Sequence, residues 1–227
     1  MIRADLHIHS CLSPCGDDEM TPFDLVGLAK LNGLDLIALT DHNSAKNCRA
    51  AAAAAAEYEM GFIPGIEVNT SEDIHCVCVF PGLDEAEAFG EEIYGTMPPI
   101  KNEPAIFGNQ IWYEPDGTPH EEERLLLSAC GYSILDLPEL CAKYGGICWP
   151  AHVDRETNGM LAALGTWPPD LLVRAAEIRF IMPPEVPDGL HIIQSSDAHR
   201  PEDLPEEGYP LRLNEPTFEA LKAWIET

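Results

Sequence analysis

Residues 2–10 read IRADLHIHS, a stretch in which polar and apolar side chains alternate. Alternate residues of a β-strand point to the same side, so Asp5, His7 and His9 share one face of the predicted strand. Leu6 and Ile8 face the other way. Two neighbouring imidazoles at a strand end supply half of a metal site, although two incidental histidines on a buried strand would give the same pattern. The rest of the chain has to decide between these interpretations.

Six further runs of β-branched or aliphatic residues follow, separated by helical patterns. The predicted strands are residues 2–10, 34–40, 62–68, 74–80, 146–152, 177–181 and 190–195. Predicted helices follow Thr21-Pro22, span 45–59 with seven consecutive alanines, span 133–144, and close the chain over 216–225. Strands that alternate with helices form parallel βαβ units. The pattern therefore predicts an α/β fold, and about seven strands in this length favour a (β/α)7 TIM-like barrel over an open sheet.

Residues 83–130 interrupt this alternation after the fourth predicted strand. They contain two acidic clusters, at 84–92 and 114–123, and a hairpin turn sequence at Pro115-Asp116-Gly117. We expect a single domain over residues 1–227, in which 83–130 is an insertion packed beside the barrel.

Composition restricts the partners of this domain. The chain has 227 residues with 39 acidic and 13 basic side chains, a formal net charge of −26. Such a domain lacks the basic surface that binds long DNA or RNA, or an anionic membrane. No apolar run approaches the roughly 20 residues that cross a bilayer. We therefore expect a small soluble partner, no long nucleic acid and no membrane, while the oligomeric state is not predicted.

The cysteines and the N-terminal residues bear on location. The eight cysteines are scattered along the chain, mostly in apolar strand or helix contexts, and no signal peptide pattern precedes them. Reduced thiols are the expected state, and a cytoplasmic location the expected one.

Six of the eight histidines lie within or directly after predicted strands, as do Glu67 and Asp197. These histidines are His7, His9, His42, His75, His152 and His199. In a parallel barrel the carboxyl ends of the strands meet at one rim, where active sites lie. Imidazole and carboxylate ligands suit zinc, manganese or iron. The pattern predicts a metal site at this rim, with His120 and His191 outside it.

The motif order across residues 5–199 resembles that of a known family. Asp-x-His-x-His, Thr-Asp-His, Gly-x-Glu, a mid-chain His, Pro-Ala-His and Ser-Asp-Ala-His follow one another as in the polymerase-and-histidinol-phosphatase (PHP) superfamily of metal-dependent phosphoesterases. The resemblance implies a distorted (β/α)7 barrel that holds two or three divalent metal ions at its mouth. It implies these ligands: His7, His9, Glu67 and Asp197 at the first metal; Glu67, His75 and His152 at the second; His42 and His199 at the third.

The third metal needs one more ligand from the loop after the first strand, where the chain departs from the family pattern. Related sequences commonly have Ser-Asp-Gly or a histidine there, whereas this loop reads Ser13-Pro-Cys-Gly-Asp-Asp-Glu19. We expect Asp17 to be the ligand, with Asp18 and then Cys15 as alternatives. The same acidic residues would also serve simply to solvate a loop.

The resemblance and the ligand set together predict hydrolysis of a phosphate ester, either a small phosphomonoester or a nucleotide. Two metal ions would share a bridging hydroxide that attacks the phosphorus atom. Glu67 and Asp197 would position the metals, and His42 or His199 would protonate the leaving oxygen. Arg155 and Arg200 follow two of the motifs and are expected to bind the phosphate, or to form structural ion pairs. Trp112 and Tyr113, in the expected insertion, are candidates for a base-stacking wall or for packing.

Two other functions remain open at this point. A non-catalytic PHP-like metal-binding module is one, because such barrels also accompany polymerases. An amidohydrolase-like C–N hydrolase is the other, although it would need a strand-end lysine where Glu67 stands.

Overall fold

The strand that carries the first two histidines lies inside the sheet of the computed structural model, which describes residues 1–227. The structure has ten strands: β1 Ile2–Ile8, β2 Leu36–Leu39, β3 Gly61–Asn69, β4 His75–Val79, β5 Ile111–Tyr113, β6 Pro119–Glu121, β7 Ile147–Pro150, β8 Ala175–Ile178, β9 His191–Gln194 and β10 Tyr209–Leu211. It has seven α-helices: α1 Pro22–Leu31, α2 Cys48–Glu57, α3 Leu83–Thr96, α4 Pro104–Phe107, α5 Leu137–Lys143, α6 Met160–Leu164 and α7 Phe218–Ile225. The protein is therefore mixed α/β, as predicted.

Six strands form a curled sheet in the order β10-β1-β2-β3-β4-β7. β1, β2 and β3 are parallel, as predicted, but β4 is antiparallel to both of its neighbours, β3 and β7. Only residues 70–74 lie between β3 and β4, too few for the crossover that a parallel connection needs. The expectation of an entirely parallel sheet is therefore wrong at β4.

The sheet does not close into one continuous ladder of seven strands. β8 and β9 form a separate parallel pair, joined to the rest by single hydrogen bonds. Val153 N–H donates to the Glu177 carbonyl at 2.9 Å, and His9 N–H donates to the Ala198 carbonyl at 2.9 Å. β10, which the sequence pattern does not predict, pairs antiparallel with β1.

The two faces of the sheet contribute to different apolar cores. The first core contains Leu36, Val77 and Trp149 from the strands, and is closed by residues of α7. The second contains the opposite strand face, including Ile37 and Cys78, packed against α1, α2, α3 and α5. Since side chains alternate along a strand, one strand serves both cores.

Local sequence explains the main helices. α1 begins where predicted, because Thr21 Oγ1 accepts the Asp24 N–H at 3.2 Å and Pro22 occupies the first turn. α2 contains the alanine run and buries Ala50, Ala51, Ala54 and Ala55. None of the helices combines the length and the apolar character that a bilayer crossing requires.

The segment 83–130 is only partly separate from the helical layer. Its first 14 residues form α3, which buries Phe89 and Ile93 in the second core. The hairpin β5–β6 follows, with Gly117 in the left-handed region at φ 88°, as its turn sequence predicts. The α-helical part thus belongs to the layer that covers the sheet.

Candidate metal centre

An irregularity in β1 positions the first two histidines. Asp5 is paired with Ile37 and Ile8 with Leu39, so β1 has one residue more than β2 over this interval. Leu6 consequently packs into the first core while Ile8 packs into the second, and the simple alternation predicted for this strand is interrupted. Such bulges redirect side chains and are common beside functional sites. Both His7 and His9 are fully buried.

The first ligand group joins β1, β3 and the segment after β9. The Nε2 atoms of His7 and His9 are 3.1 Å apart. Asp197 Oδ1 lies 3.4 Å from His7 Nε2 and 3.2 Å from His9 Nε2. The corresponding distances from the two Glu67 oxygens are 3.2 and 3.3 Å. Four candidate ligands thus converge with all their donor atoms within 4.8 Å of one another.

Glu67 also connects this group to a second one. Its Oε1 atom lies 2.9 Å from His75 Nδ1 and 3.1 Å from His152 Nε2, and its Oε2 atom lies 3.0 Å from His42 Nδ1. The reversed direction of β4 brings His75 here, because the first residue of β4 lies where β3 ends. Glu67 therefore has the central position expected of a carboxylate that bridges two metals.

A third group contains His42 and His199 beside His9, again with donor atoms within 4.8 Å of one another. The Cys15 thiol, rather than Asp17, lies close enough to His42 and His199 for the two imidazoles to influence its pKa. Burial would raise the pKa of this thiol, but the two imidazoles outweigh that effect and lower it to about 5.

The structure does not bring the expected ligand Asp17, or its alternative Asp18, into this group. Asp17 is exposed, and its Oδ1 atom accepts the Glu19 N–H at 2.9 Å. Asp18 is also exposed and accepts a hydrogen bond from Asn109 at 2.7 Å. The loop turns back tightly at Gly16, where a Cβ atom would lie 2.5 Å from the Ser10 carbonyl oxygen. Beyond this turn, Asp17 and Asp18 face solvent.

The carboxylates and imidazoles of the centre shift one another's pKa values. Burial alone would raise the pKa of Glu67, but the surrounding imidazoles, His75 foremost, hold it well below its usual range. Burial disfavours protonation of His7, yet three carboxylates, Glu177 foremost, raise its pKa well above the ordinary imidazole value. Glu67 is thus ionised, and His7 has a strong tendency to bind a cation, either a proton or a metal.

Two supporting carboxylates were not predicted from the sequence. Glu177 Oε1 lies 2.8 Å from His7 Nδ1 and accepts the His152 N–H at 3.2 Å. Asp41 accepts the Ser13 hydroxyl at 2.7 Å, and Ser13 Oγ lies 2.9 Å from His9 Nδ1. Metal-binding histidines typically have such partners on their second nitrogen. The Thr-Asp-His motif was a signal for Asp41. Glu177 is the first residue of a predicted strand and belongs to no motif, so the sequence gives no signal for it.

Several donor atoms of the centre have no hydrogen-bond partner within the protein, as expected of atoms that bind a metal ion. Glu67 Oε2, His42 Nδ1 and His75 Nδ1 are buried and make no hydrogen bond of acceptable geometry. Buried polar atoms without partners are rare, and a bound ion is one recognised explanation. His152 and Asp197 have left-handed backbones, at φ 27° and 53°, and such strain in non-glycine residues is concentrated at functional sites.

Two arginines border the open side of the centre. Arg155 forms an ion pair with Asp197 Oδ2, and Arg179 Nη1 lies 3.6 Å from the same oxygen. Arg179 was missed by the sequence analysis. The other expected phosphate ligand, Arg200, is exposed and forms no ion pair, so the structure does not bring it into the centre.

Residues 179–182 form an exposed segment at the open side of the centre, which we call the rim. The Asp154 carboxylate accepts the backbone N–H groups of Arg179, Phe180 and Ile181 at 2.8–3.0 Å and fixes the shape of the rim. The Phe180 side chain is 78% exposed, and the Arg179 guanidinium lies 5.3 Å from its ring centre. The rim thus offers an exposed aromatic ring beside the two arginines.

Trp112 and Tyr113, the other aromatic candidates, are engaged in packing. Trp112 stacks on His120 with ring centres 4.2 Å apart, and Tyr113 makes an edge contact with Phe23 at 5.9 Å. His120 lies in the hairpin and His191 packs against Trp224 at 4.5 Å, so both stand outside the centre, as predicted.

Solved structures share this fold. The lesion-specific endonuclease PfuEndoQ from Pyrococcus furiosus superposes with a TM-score of 0.69 at 18% identity, over 99% of this chain and 56% of the endonuclease. An amidohydrolase from Chromobacterium violaceum superposes with a TM-score of 0.58 at 18% identity, over 99% of this chain and 96% of that one.

Sequence comparison gives a relative and a family. A 3',5'-nucleoside bisphosphate phosphatase from Chromobacterium violaceum is 39% identical over 88 residues, which are 38% of this chain and 30% of the phosphatase. This chain thus aligns with less than a third of the phosphatase and spans little more than half of the endonuclease. The PHP domain matches residues 5–142, which include most of β1, all of β2 to β6 and most of α5. Since this match covers more than half of the sequence, the chain belongs to the PHP domain family.

Proposed function

We propose that this chain is a metal-dependent phosphoesterase that acts on a small phosphomonoester or a nucleotide. The observation that carries the proposal is the convergence of six imidazoles on Glu67 and Asp197, with arginines on the open side. The phosphatase name of the relative supports the same reaction class. The alternative of a non-catalytic module is disfavoured because the central ligands are all present.

The ligand groups divide naturally into two main metal positions and a third. The first would be held by His7, His9, Glu67 and Asp197, the second by Glu67, His75 and His152, and the third by His42, His199 and Cys15. Zinc, manganese and iron all suit the nitrogen and oxygen donors, whereas a thiolate at the third position favours zinc or iron over manganese.

Metal ions bound here would supply the positive charge that polarises a phosphoryl group and acidifies water. Glu67 and Asp197 act as positioning groups, because each contacts at least two histidines. Where the third position holds no metal ion, His199 is the better proton donor to a leaving oxygen, since its side chain is 22% exposed whereas that of His42 is enclosed. Its Nδ1 lies 2.8 Å from the Asp197 carbonyl, which can only accept, so Nδ1 carries a proton and Nε2 faces the centre.

Arg155 and Arg179 are the proposed phosphate ligands. Both contact Asp197 Oδ2, and both remain partly exposed, with 36% and 27% of their side chains accessible. A phosphate group at the open side would meet two guanidinium groups, each able to donate two parallel hydrogen bonds. In a chain of net charge −26, these two groups provide a local positive region for a small anion.

The negative exterior and the positive region at the two arginines together favour a small anionic substrate. The acidic exterior repels long polyanions, whereas surface charge more than about 8 Å away is screened at physiological salt. The exposed Phe180 ring, next to the arginines, suits a nucleobase, and the relative named as a nucleoside bisphosphate phosphatase is consistent with that class. The likeness to an endonuclease and to an amidohydrolase concerns the fold alone.

The test is phosphate release from metal-stripped protein, with and without added Mn²⁺ or Zn²⁺. The substrates are a panel of phosphomonoesters and of nucleoside monophosphates and bisphosphates. Short oligonucleotides are assayed for chain cleavage, and N-acyl amino acids are assayed for amine release to test the amidohydrolase alternative. Asp197→Asn provides the blank. We expect metal-dependent release from the small phosphates that is absent in the variant. Turnover of amides alone, or no turnover of any ester by metal-loaded protein, would refute the proposal.

A further inference from the structure

Four cysteines converge on the face of the sheet opposite to the histidines. Cys76 and Cys78 lie on β4 and share the face that His75 does not occupy. Cys148 on β7 is the direct cross-strand neighbour of Cys78. The sulfur atoms of these three cysteines lie within 4.8 Å of one another.

A fourth thiol comes from α5, which packs over this part of the sheet. Cys141 is fully buried, and its thiol is near enough to those of Cys78 and Cys148 for these groups to influence one another's pKa. The thiols of three separate segments, β4, β7 and α5, therefore lie in one region of the second core. All eight cysteines of the protein are unpaired, so no disulfide accounts for the arrangement.

Packing alone explains the burial of one cysteine better than the convergence of four. A buried cysteine behaves as a small apolar side chain, and such residues are common in cores. In this cluster the thiols contact one another instead of being dispersed among the aliphatic side chains of the second core. Their other acceptors are few: Cys76 Sγ lies 3.3 Å from the Trp149 carbonyl, and Cys78 Sγ lies 3.9 Å from the Cys76 carbonyl.

We propose that Cys76, Cys78, Cys141 and Cys148 form a second metal site, a tetrathiolate centre for Zn²⁺ or another thiophilic divalent ion. Four cysteines are a complete ligand set for a structural zinc site. In a tetrahedral site with Zn–S bonds of about 2.3 Å, neighbouring sulfur atoms are about 3.8 Å apart. The sulfur atoms of Cys76, Cys78 and Cys148 already lie within 4.8 Å of one another, and a side-chain rotation of Cys141 would bring the fourth to the same point.

The surroundings of the cluster supply an entry route and a countercharge. Cys148 is the one partly exposed residue of the four, and it lines a cavity of about 240 Å³. Lys222 and Arg174 line the same cavity together with one carboxylate, Glu226, so its lining carries a net charge of about +1. Four thiolates around a divalent ion leave a net charge of about −2, which two nearby cations offset in part. In a chain with only 13 basic residues, two of them at one small cavity distinguish this place.

The site is independent of the proposed phosphoesterase activity, because it shares no ligand with the histidine centre. Its two strands nevertheless also carry His75 and precede His152. A bound ion would cross-link β4, β7 and α5 and would therefore stiffen the part of the sheet that holds the second metal position. Its role is thus structural, since no open coordination position or neighbouring base is present for catalysis.

The test uses full-length protein in which Glu67→Gln and Cys15→Ser disable the histidine centre. Metal-free protein is titrated with Co²⁺ alone, and the thiolate-to-cobalt charge-transfer absorption in the near ultraviolet is recorded. We expect one equivalent of Co²⁺ to give an intense band, and Zn²⁺ to displace it. Adding Cys76→Ser and Cys148→Ser should abolish the band. Cys130→Ser, which removes a buried thiol outside the cluster, should leave it unchanged.

A second measurement avoids the risk that the double serine variant does not fold. A mercurial reagent is titrated into zinc-loaded protein that carries the Glu67→Gln and Cys15→Ser background, and released zinc is followed with a colorimetric chelator. We expect one zinc ion per chain, released as the four thiols react. Absence of a thiolate band in the folded protein would overturn the proposal. So would a mass lower by two hydrogens, which would indicate a disulfide within the cluster.

Discussion

The two faces of β4 and β7 carry two ligand sets of opposite character. One face contributes His75, followed by His152, to a centre of imidazoles and carboxylates that opens to solvent beside Arg155 and Arg179. The other face contributes cysteines to a cluster that is buried in an apolar core except at Cys148. Because side chains alternate along a strand, neighbouring residues of β4 face either the charged histidine centre or the apolar core with its cysteines. The contrast teaches that the chemistry of a residue here depends on strand parity as much as on strand position.

The largest effect is expected from Glu67→Gln, which tests whether the two sets are separable. Glu67 contacts five histidines, and its loss should reduce the rate of phosphate release by on the order of 10³-fold, a loss typical of removing a group that supports the transition state. The measurement is steady-state kinetics together with metal content. Glu122→Gln, another buried carboxylate, should keep the activity. Loss of the cysteine-bound ion in Glu67→Gln would show that the two ligand sets are not independent.

Glu177→Gln should have the next largest effect, because only the histidine centre has supporting carboxylates. Removing the negative charge beside His7 Nδ1 should weaken metal binding by about 10–100-fold, as for other partners of metal-binding histidines. Competition with a chelator measures the affinity. Glu92→Gln, a carboxylate bonded to Tyr132 and Tyr144, is the matched control. An unchanged affinity would mean that Glu177 serves only to orient the β7–β8 region.

Phe180→Ala tests the open side of the histidine centre. If the ring stacks on a nucleobase, KM for a nucleotide should rise about tenfold, since such stacking contributes ~1–3 kcal/mol. KM for a phosphomonoester without a base should stay the same. Leu172→Ala removes a side chain that is 83% exposed but lines the cavity beside Cys148. Equal effects of the two substitutions would contradict a role for the rim in recognition.

The smallest effect is expected from acidification of the rim. Burial would raise the pKa of Asp154, but three backbone N–H donors, that of Arg179 foremost, outweigh it and lower the pKa below its usual 3.8. A lowered carboxyl pKa stabilises the folded rim at all pH values above 3.8, and this contribution is lost as the pH falls through the folded value. Hydrogen exchange of residues 179–181, corrected for intrinsic rates, should therefore rise only below about pH 4. Asp154→Asn should remove this step and show faster exchange at neutral pH.

The sequence predicted the parts of the fold and site that depend on local pattern. Alternation placed all seven expected strands within a few residues of the observed ones, and strand-end positions selected the six central histidines. Family resemblance then grouped them with Glu67 and Asp197. The same parity rule placed Cys76 and Cys78 opposite His75, although nothing local connected them with Cys141 and Cys148.

The missed features depend on distant contacts. Asp17 lies outside the histidine centre, in a loop that turns tightly where Gly16 meets the Ser10 carbonyl, and loop composition does not reveal this turn. Arg179 and Phe180 are held by Asp154, 25 residues or more away in the sequence. The reversal of β4 had a local signal in the short connection 70–74, but the regular βαβ pattern elsewhere outweighed it. β10 has only three residues and forms by pairing with β1.

The span of the chain that each ligand set requires has a consequence for biosynthesis. His7 and its partner Glu177 are 170 residues apart, and the centre also needs Asp197 and His199. The thiol cluster draws on residues 76–148 and is complete once Cys148 has left the ribosome. Contacts across long sequence separations form slowly, and chains fold from the N-terminus as they are made. The cysteines are therefore ready to capture an ion while the histidine centre still lacks its last ligands, so the order of synthesis sets the order in which the two sites are filled.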